Sequence, residues 1–294
     1  MNTPVTAPAL QARKADGNKV AMLTAYDYPS AQLMDASGID AILVGDSCAM
    51  VMMGRRDTLS ITMDEMLHHV KMVTAGVQRA LVVADMPFLS YHISPEEAVR
   101  NAGRLIAEGG AGAVKLEGPP EKRADAIRAI VNADIPVMGH LGLTPQSVLA
   151  LGGYKVQGRS NEAARALKEA AKGLEALGCF AIVLECIPAD LAAEISSELS
   201  IPTIGIGAGA GCDGQILVMH DMLGWGHTKF AKTFMDVRGI MEQAFKNYVN
   251  EVKTAAFPGP EHQYGPAKKT ETEETPKSPK DLVEYLLSTD YSEW

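Results

Sequence analysis

The sequence has few of the features that mark disulfide-rich, zinc-binding, membrane-spanning or nucleic-acid-binding proteins. It contains four cysteines in 294 residues, and because no two of them form a C-x-x-C pair, we expect reduced thiols. No apolar run approaches the ~20 residues that a transmembrane helix needs. Acidic residues outnumber basic ones by 36 to 27, and this negative charge disfavours binding to nucleic acid or to anionic membranes. These absences indicate a soluble, intracellular protein.

Short apolar runs, most of them followed by a helical stretch, recur eight times between residues 20 and 224. Continuously apolar runs are typical of strands that are covered on both faces, as in a parallel sheet. Eight regularly spaced units predict a single α/β domain, a (β/α)₈ TIM-type barrel, and an open doubly wound sheet is the alternative. The runs are 20–27, 40–46, 80–87, 112–118, 135–142, 180–186, 201–209 and 215–224.

The barrel domain is expected to occupy residues 1–265. Thr62 and Ser94 each precede a glutamate by three residues, which predicts capping boxes at two helix starts. Further helices are expected at 162–177, after a long glycine-rich loop, and at 237–252. Residues 266–294 begin with the polar run PAKKTETEETPKSPK, and this composition predicts a flexible, disordered C-terminal tail.

Polar side chains stand at the ends of the predicted strands, and a parallel barrel gathers such ends at one mouth. Asp46, Asp85 and Glu117 suit an all-oxygen site for Mg²⁺, which favours carboxylates and leaves positions open for substrate oxygens. The alternative for each acid taken singly is a helix cap or an ion pair with an arginine. In chain order the strand-end residues are Asp27, Asp46, Ser47, Asp85, Lys115, Glu117, His140 and Glu185.

Three of these side chains allow a structural and a functional interpretation. Lys115 points to the same side of its strand as Glu117, and it forms either a structural ion pair or a contact with a substrate carboxylate. Glu185 follows the apolar run AIVL, where a desolvated carboxylate suits a general base, although it can also turn outward to solvent. His140 is interpreted as a neutral, hydrogen-bonded core histidine rather than a proton shuttle.

Several long motifs resemble those of one enzyme family. Over about residues 5–265, the chain resembles the ketopantoate hydroxymethyltransferases, also called 3-methyl-2-oxobutanoate hydroxymethyltransferases. The motifs that carry the resemblance are LTAYD (23–27), VGDS (44–47), ADMPFLSY (84–91), VKLEG (114–118), GHLGLTPQS (139–147), GGYKVQGR (152–159), LEC (184–186) and GIGAG…CDGQILVMHD (205–221).

The resemblance implies a (β/α)₈ enzyme of pantothenate synthesis. Such an enzyme moves a one-carbon unit from 5,10-methylenetetrahydrofolate to 3-methyl-2-oxobutanoate and forms 2-dehydropantoate. The resemblance also implies a cytoplasmic homo-oligomer, commonly a homodecamer, and gives no expectation for the tail. The site residues that it implies are Mg²⁺ ligands at Asp46, Asp85 and Glu117, keto-acid contacts at Asp46, Ser47, Asp85 and Lys115, and a proton acceptor at Glu185.

Two other interpretations are compatible with the same residues. One is a different Mg²⁺-dependent carbon–carbon lyase or aldolase, which would act on a 2-oxo acid and would not depend on tetrahydrofolate. The other is a catalytically silent barrel that serves as a binding or scaffold protein. A silent barrel has no physical reason to keep Lys115, Glu185 and the three acids together.

Overall fold

The computed structural model describes residues 3–226 and 228–265. Within these residues the chain divides into two compact units, with the division after Gly239. The predicted tail, 266–294, lies outside the described residues, so the expected domain boundary after residue 265 stays a prediction. Within the described ranges, no helix is long and apolar enough to cross a bilayer.

Eight parallel strands in the first unit close into a barrel in the order β1 to β8. Each strand pairs with the next along the chain, and β8 pairs back to β1 with Val20 opposite Gly214. This closure confirms the predicted (β/α)₈ barrel and excludes the open doubly wound sheet. The strands are β1 (Val20–Thr24), β2 (Ala41–Val44), β3 (Leu81–Asp85), β4 (Ala113–Glu117), β5 (Val137–Gly142), β6 (Ala181–Glu185), β7 (Thr203–Ile206) and β8 (Gly214–Leu217).

The helices that connect the strands pack against the outer face of the barrel. Two short 3₁₀ turns, Pro145–Ser147 and Pro260–His262, complete the regular structure of the described residues. The helices are α1 (Ala7–Ala15), α2 (Tyr28–Ala36), α3 (Cys48–Val51), α4 (Met63–Gly76), α5 (Pro95–Ala107), α6 (Pro120–Asn132), α7 (Val148–Leu151), α8 (Asn161–Ala176), α9 (Ala189–Glu198), α10 (Met219–Met222) and α11 (Val237–Lys253).

The helix starts follow the predicted capping residues. Thr62 Oγ1 accepts a hydrogen bond from the Glu65 main-chain N at 3.2 Å, and the Glu65 carboxylate accepts one from the Thr62 main-chain N, which confirms the capping box of α4. Ser94 caps α5 by accepting from the main-chain N of Glu97, so the predicted cap is present without the reciprocal Glu97 contact of a full capping box. Helices α8 and α11 begin within one residue of the expected positions.

Alternate strand positions fill two apolar layers, one inside the barrel and one beneath the helices. Helix α1, for which the sequence patterns gave no expectation, places Leu10 in the inner layer. Lys14 of α1 pairs with Asp213, directly before β8, at 2.8 Å, so this helix lies at the N-terminal end of the strands. Helix α1 therefore covers that end of the barrel, and the polar strand ends lie at the opposite mouth.

Helix α11 carries an exposed apolar stripe. None of the described residues of α11 is buried. The stripe recurs at helical spacing and consists of Met241, Phe245, Tyr248, Val249 and Val252, each at least 40% exposed. An exposed apolar face of this kind marks an interaction surface.

Candidate active site

Five ionisable side chains point into the barrel at the carboxyl ends of four neighbouring strands, β3 to β6. Because successive strand residues point to opposite faces, the pleat that buries the apolar inner layer also directs these side chains inward. The pairing register sets Asp85 beside Lys115 and Glu117 beside His140. The five are Asp85 on β3, Lys115 and Glu117 on β4, His140 on β5 and Glu185 on β6.

Asp46, just after β2, completes an acidic cluster with Asp85 and Glu117. Its main-chain N donates to Asp85 Oδ2 at 3.1 Å. One carboxylate oxygen from each of the three acids lies within 4.8 Å of the others, and all three residues are buried. Burial and repulsion from Asp85 and Glu117 raise the pKa of Asp46 well above its ordinary value. The sequence-predicted ligands therefore meet in one place, and this all-oxygen donor set fits a divalent cation such as Mg²⁺.

Lys115 lies directly against the acidic cluster. Its Nζ is 2.9 Å from Asp85 Oδ1 and 3.3 Å from Glu117 Oε1, and its side chain is buried. Burial opposes protonation, but the carboxylates of Asp85, Glu117 and Asp46 outweigh it and raise the pKa of Lys115 above its ordinary value. The structural ion pair is thus present, and Lys115 also lines the cavity above the cluster.

His140 connects the acidic cluster to Glu185. Its Nδ1 is 3.3 Å from Glu117 Oε1, and its Nε2 is 3.1 Å from Glu185 Oε2. Burial and the nearby Lys115 oppose protonation, but Glu117 and Glu185 outweigh them and raise the pKa of His140 to about 9. The buried histidine is therefore charged at neutral pH, which differs from the neutral core histidine expected from the sequence. Its charge and that of Lys115 overcome burial and lower the pKa of Glu117 to about 2.

Ser47 and Asp27, the remaining acidic or hydroxyl residues at the strand ends, have different surroundings. Ser47 lines the cavity, and its Oγ lies 2.9 Å from the hydroxyl of Tyr26. Asp27 instead caps α2 by accepting from the main-chain N of Ser30 at 2.8 Å. The structural alternative considered for single acids thus applies to Asp27 and not to the three acids of the cluster.

The cavity at this mouth has a volume of about 480 Å³. Its floor is the acidic cluster with Lys115 and Glu185, whereas its walls are largely apolar. The size lies within the ~300–1,000 Å³ that is usual for small-molecule sites. Among the wall residues are Met50, Tyr154, Lys155, Val156, Lys229 and Phe230.

Cys186 follows Glu185 directly and lines the same cavity. It has a φ of 48°, in the left-handed region that non-glycine residues rarely adopt. Burial raises the pKa of its thiol to about 11, so the thiol stays protonated at neutral pH. All four cysteines are free, as the sequence predicts, and the other three are buried.

Two buried side chains that the sequence reasoning did not single out complete the site. Gln146, in the 3₁₀ turn after β5, donates from Nε2 to Asp46 Oδ2 at 3.1 Å and from its main-chain N to Glu117 Oε2 at 2.9 Å. The hydroxyl of Tyr91 lies 2.7 Å from Gln146 Oε1. The available signal was a polar residue shortly after a strand end, within the motif GHLGLTPQS.

Comparison with known proteins gives close relatives over most of the chain. The profile of a family described as ketopantoate hydroxymethyltransferase matches residues 4–260. The 3-methyl-2-oxobutanoate hydroxymethyltransferase of Enterococcus faecalis is 56% identical over 262 residues, which cover 88% of this chain and 95% of the relative. The enzyme of the same name from Clostridium novyi is 57% identical over 260 residues, which cover 87% of this chain and 94% of the relative.

Solved structures with similar barrels are much more distant in sequence. Phosphonopyruvate hydrolase matches with a TM-score of 0.60 and 13% identity over 96% of this chain and 95% of that chain. A 2,3-dimethylmalate lyase, described as a member of the PEP mutase/isocitrate lyase superfamily, matches with a TM-score of 0.57 and 18% identity over 95% and 94% of the two chains. At these identities the likeness concerns the fold alone.

Proposed function

The chain belongs to the ketopantoate hydroxymethyltransferase family, and on that premise we propose that it forms 2-dehydropantoate from 3-methyl-2-oxobutanoate with 5,10-methylenetetrahydrofolate as the one-carbon donor. Membership of the family makes the chain a hydroxymethyltransferase. The proposal adds the roles of individual residues: Glu185 as the proton acceptor, Asp46, Ser47, Asp85 and Lys115 as keto-acid contacts, and Asp46, Asp85 and Glu117 as the metal ligands.

The position of Glu185 is the observation that carries the proposal. The reaction requires removal of the C3 proton of the keto acid beside the groups that bind its oxygens. Glu185 lines the same cavity as the acidic cluster, and its side chain is 15% exposed. His140 holds one of its carboxylate oxygens at 3.1 Å, so the other oxygen can face the substrate. A carboxylate that is oriented in this way meets the requirement for a general base.

Asp46, Asp85 and Glu117 would hold Mg²⁺, since this ion prefers carboxylate oxygens and keeps positions open for substrate. In their ionised form the three acids would carry three negative charges, against the one positive charge of Lys115, which lies beside them. A divalent cation therefore balances the site. When bound, it supplies Lewis-acid stabilisation of the negative charge that develops on the substrate oxygens.

The side chains of the protein perform the remaining steps. The Lys115 ammonium offsets the charge of the substrate carboxylate, and the Ser47 hydroxyl, held 2.9 Å from Tyr26, donates to a substrate oxygen. Glu185 accepts the C3 proton while its ion pair with His140 keeps its orientation. The carbon nucleophile that results bonds to the methylene carbon, both carbon–nitrogen bonds that hold this carbon to the folate break, and water supplies the hydroxyl group of the product. Tetrahydrofolate leaves, and its two nitrogens take up the C3 proton and one proton of the water.

The walls of the cavity suit the folate co-substrate. A keto acid with eight non-hydrogen atoms occupies only part of a cavity of about 480 Å³. Tyr154, Val156 and Phe230 offer apolar and aromatic surface against which a flat pterin ring can pack. Lys155 and Lys229 are exposed lining residues whose charge complements the glutamate carboxylates of a folate.

We also propose that the protein forms a homo-oligomer. By family resemblance this assembly is a homodecamer, and it is located in the cytoplasm. The exposed stripe of α11, Met241, Phe245, Tyr248, Val249 and Val252, supports association. Its occupant in this proposal is a second copy of the chain, because oligomers of identical subunits are the commonest assemblies of soluble enzymes. Burial of the stripe would remove five large apolar side chains from water.

The direct test is formation of 2-dehydropantoate from 3-methyl-2-oxobutanoate, 5,10-methylenetetrahydrofolate and Mg²⁺, followed by mass spectrometry. We expect product only when all three are present, and we expect chelation to abolish turnover while far-UV circular dichroism stays unchanged. Cleavage of a 2-oxo acid without any need for tetrahydrofolate would instead identify a Mg²⁺-dependent lyase or aldolase. Turnover after verified removal of metal would contradict the ligand roles of Asp46, Asp85 and Glu117.

A further inference from the structure

Gln146 touches two of the three acids in the cluster and is itself 5% exposed. We propose that Gln146 is a positioning residue that fixes the carboxylates of Asp46 and Glu117 in the arrangement that binds a divalent cation. The proposal rests on the metal site in the proposed function and deepens it. In this proposal Gln146 does not bind the cation itself, since it donates hydrogen bonds to the two carboxylates that would bind it.

The surroundings of Gln146 define the orientation of its amide. Nε2 lies 3.0 Å from the main-chain O of Met86 and 3.1 Å from Asp46 Oδ2. The carbonyl of Met86 can only accept a hydrogen bond, so the nitrogen of the amide must face it. Oε1 then faces the hydroxyl of Tyr91, which can donate. The amide therefore presents a donor, not an acceptor, to the carboxylate of Asp46.

Tyr91 keeps this amide in place and joins it to β4. Its hydroxyl donates to Gln146 Oε1 at 2.7 Å and accepts from the main-chain N of Glu117 at 3.2 Å. Arg123 donates from Nε to the main-chain O of Glu117 at 2.9 Å, and its guanidinium lies 5.4 Å from the centroid of the Tyr91 ring. Both polar main-chain atoms of Glu117 are thus held by side chains that also contact one another.

The same turn holds the Glu117 side chain from the opposite direction. The main-chain N of Gln146 donates to Glu117 Oε2 at 2.9 Å, whereas Lys115 and His140 face Oε1. Asp46 and Glu117 repel one another in the absence of a cation, so without these donors each carboxylate would gain rotational freedom. Restraint of both acids by one residue lowers the reorganisation that cation binding requires, as hydrogen-bonded partners of metal ligands generally do.

The experiment measures cation binding without the reaction. Mn²⁺ is titrated into the full-length protein without substrates, and free Mn²⁺ is quantified by electron paramagnetic resonance. Gln146→Leu removes the amide donor to Asp46 and keeps the main-chain donor to Glu117. We expect it to weaken Mn²⁺ binding ~10–100-fold, the usual effect of removing an outer partner of a ligand. The matched control is Gln32→Leu, which removes an exposed glutamine whose amide also lies near a tyrosine hydroxyl, that of Tyr28, but outside the cluster. Gln32→Leu should bind Mn²⁺ as the unsubstituted protein does.

Tyr91→Phe provides a second variant, because it keeps Gln146 and removes the hydroxyl that orients the amide and accepts from the main-chain N of Glu117. It should weaken Mn²⁺ binding less than Gln146→Leu does, and the loss in the double variant should be smaller than the sum of the two single losses, since both variants act on the amide that contacts Asp46. This variant also tests the proposal if Gln146→Leu does not fold. In turnover assays, both variants should raise the Mg²⁺ concentration at half-maximal rate more than they lower the rate at saturating Mg²⁺.

Unchanged Mn²⁺ affinity in folded Gln146→Leu, or in Tyr91→Phe where that is the variant that folds, would overturn the proposal. An equal loss in Gln32→Leu would do so as well, because the effect would then be general. The outcome is separable from the proposed transferase activity. Weaker Mn²⁺ binding in a protein that forms no 2-dehydropantoate would support the positioning role and contradict the proposed reaction.

Discussion

The imidazole of His140 lies between two carboxylates, and this position makes the stability of the barrel depend on pH. Glu117 and Glu185 flank its two ring nitrogens, and despite burial they raise its pKa from 6.5 to about 9. A group whose pKa is higher in the folded state stabilises the fold fully below its unfolded value, and that contribution is lost as the pH rises through the folded value. We therefore expect the free energy of unfolding of the metal-free protein to decrease between pH 6.5 and 9.

Urea denaturation in the presence of a chelator at a series of pH values measures this contribution. In His140→Gln the free energy of unfolding should decrease less between pH 6.5 and 9 than in the unsubstituted protein. In His68→Gln, at an exposed position on α4, it should decrease as much as in the unsubstituted protein. If the stability of His140→Gln fell with pH as steeply as that of the unsubstituted protein, the charged state assigned to His140 would be wrong.

Strands β5 and β6 lie close together at Glu185, and this close packing fixes the position of Glu185. Gly142 pairs with Glu185 in the sheet and has a φ of 91°. A Cβ at this glycine would lie 2.1 Å from the main-chain O of Glu185 and 2.8 Å from Ile187 Cγ2. Gly142→Ala must therefore displace the end of β6. A displacement of ~1 Å at a catalytic group costs ~10²-fold in rate, so we expect turnover to fall about 100-fold.

Gly38→Ala is the matched control for this prediction. Gly38 has a similar φ of 86°, but no described atom lies within 4 Å of the Cβ that it would gain. Both variants share the strain of alanine in the left-handed region, and only Gly142→Ala adds the overlap with Glu185. Thermal denaturation should show a loss of stability in both variants. Turnover should fall in Gly142→Ala and stay unchanged in Gly38→Ala. Equal turnover of the two variants would contradict the role given to the β5–β6 approach.

The sequence was sufficient for the parts of the fold and site that depend on local geometry. Period-two alternation within β4 was enough to place Lys115 and Glu117 on the inner face, and the order of the strands was enough to gather the acids at one mouth. Gln146 and Tyr91 were not found, because their contacts depend on how loops from two strands meet. Gln146 lies 100 positions from Asp46 in the sequence, and no periodicity relates the two.

At the scale of the whole molecule, the apolar stripe of α11 is expected to hold subunits together. Phe245 is 61% exposed at the centre of the stripe, and a charge there would have to be buried in any interface that covers it. Phe245→Glu should therefore shift the protein to smaller species in sedimentation velocity. Asn247→Glu, which makes the same change in charge at an exposed position of α11 outside the stripe, should leave the assembly intact. Identical sedimentation of both variants and the unsubstituted protein would contradict an interface on the stripe.

The role of Glu185 as proton acceptor is tested most directly by exchange of the C3 hydrogen of 3-methyl-2-oxobutanoate with D₂O, followed by NMR in the presence of Mg²⁺ and tetrahydrofolate. This measurement isolates proton removal from one-carbon transfer. Glu185→Gln keeps the shape of the side chain but cannot accept the proton, so exchange should fall by the ~10²–10⁴-fold that a positioned base contributes. Binding of the keto acid should stay similar, and Glu121→Gln, at an exposed position on α6, should exchange normally. Exchange at the unsubstituted rate in Glu185→Gln would show that another group takes the proton.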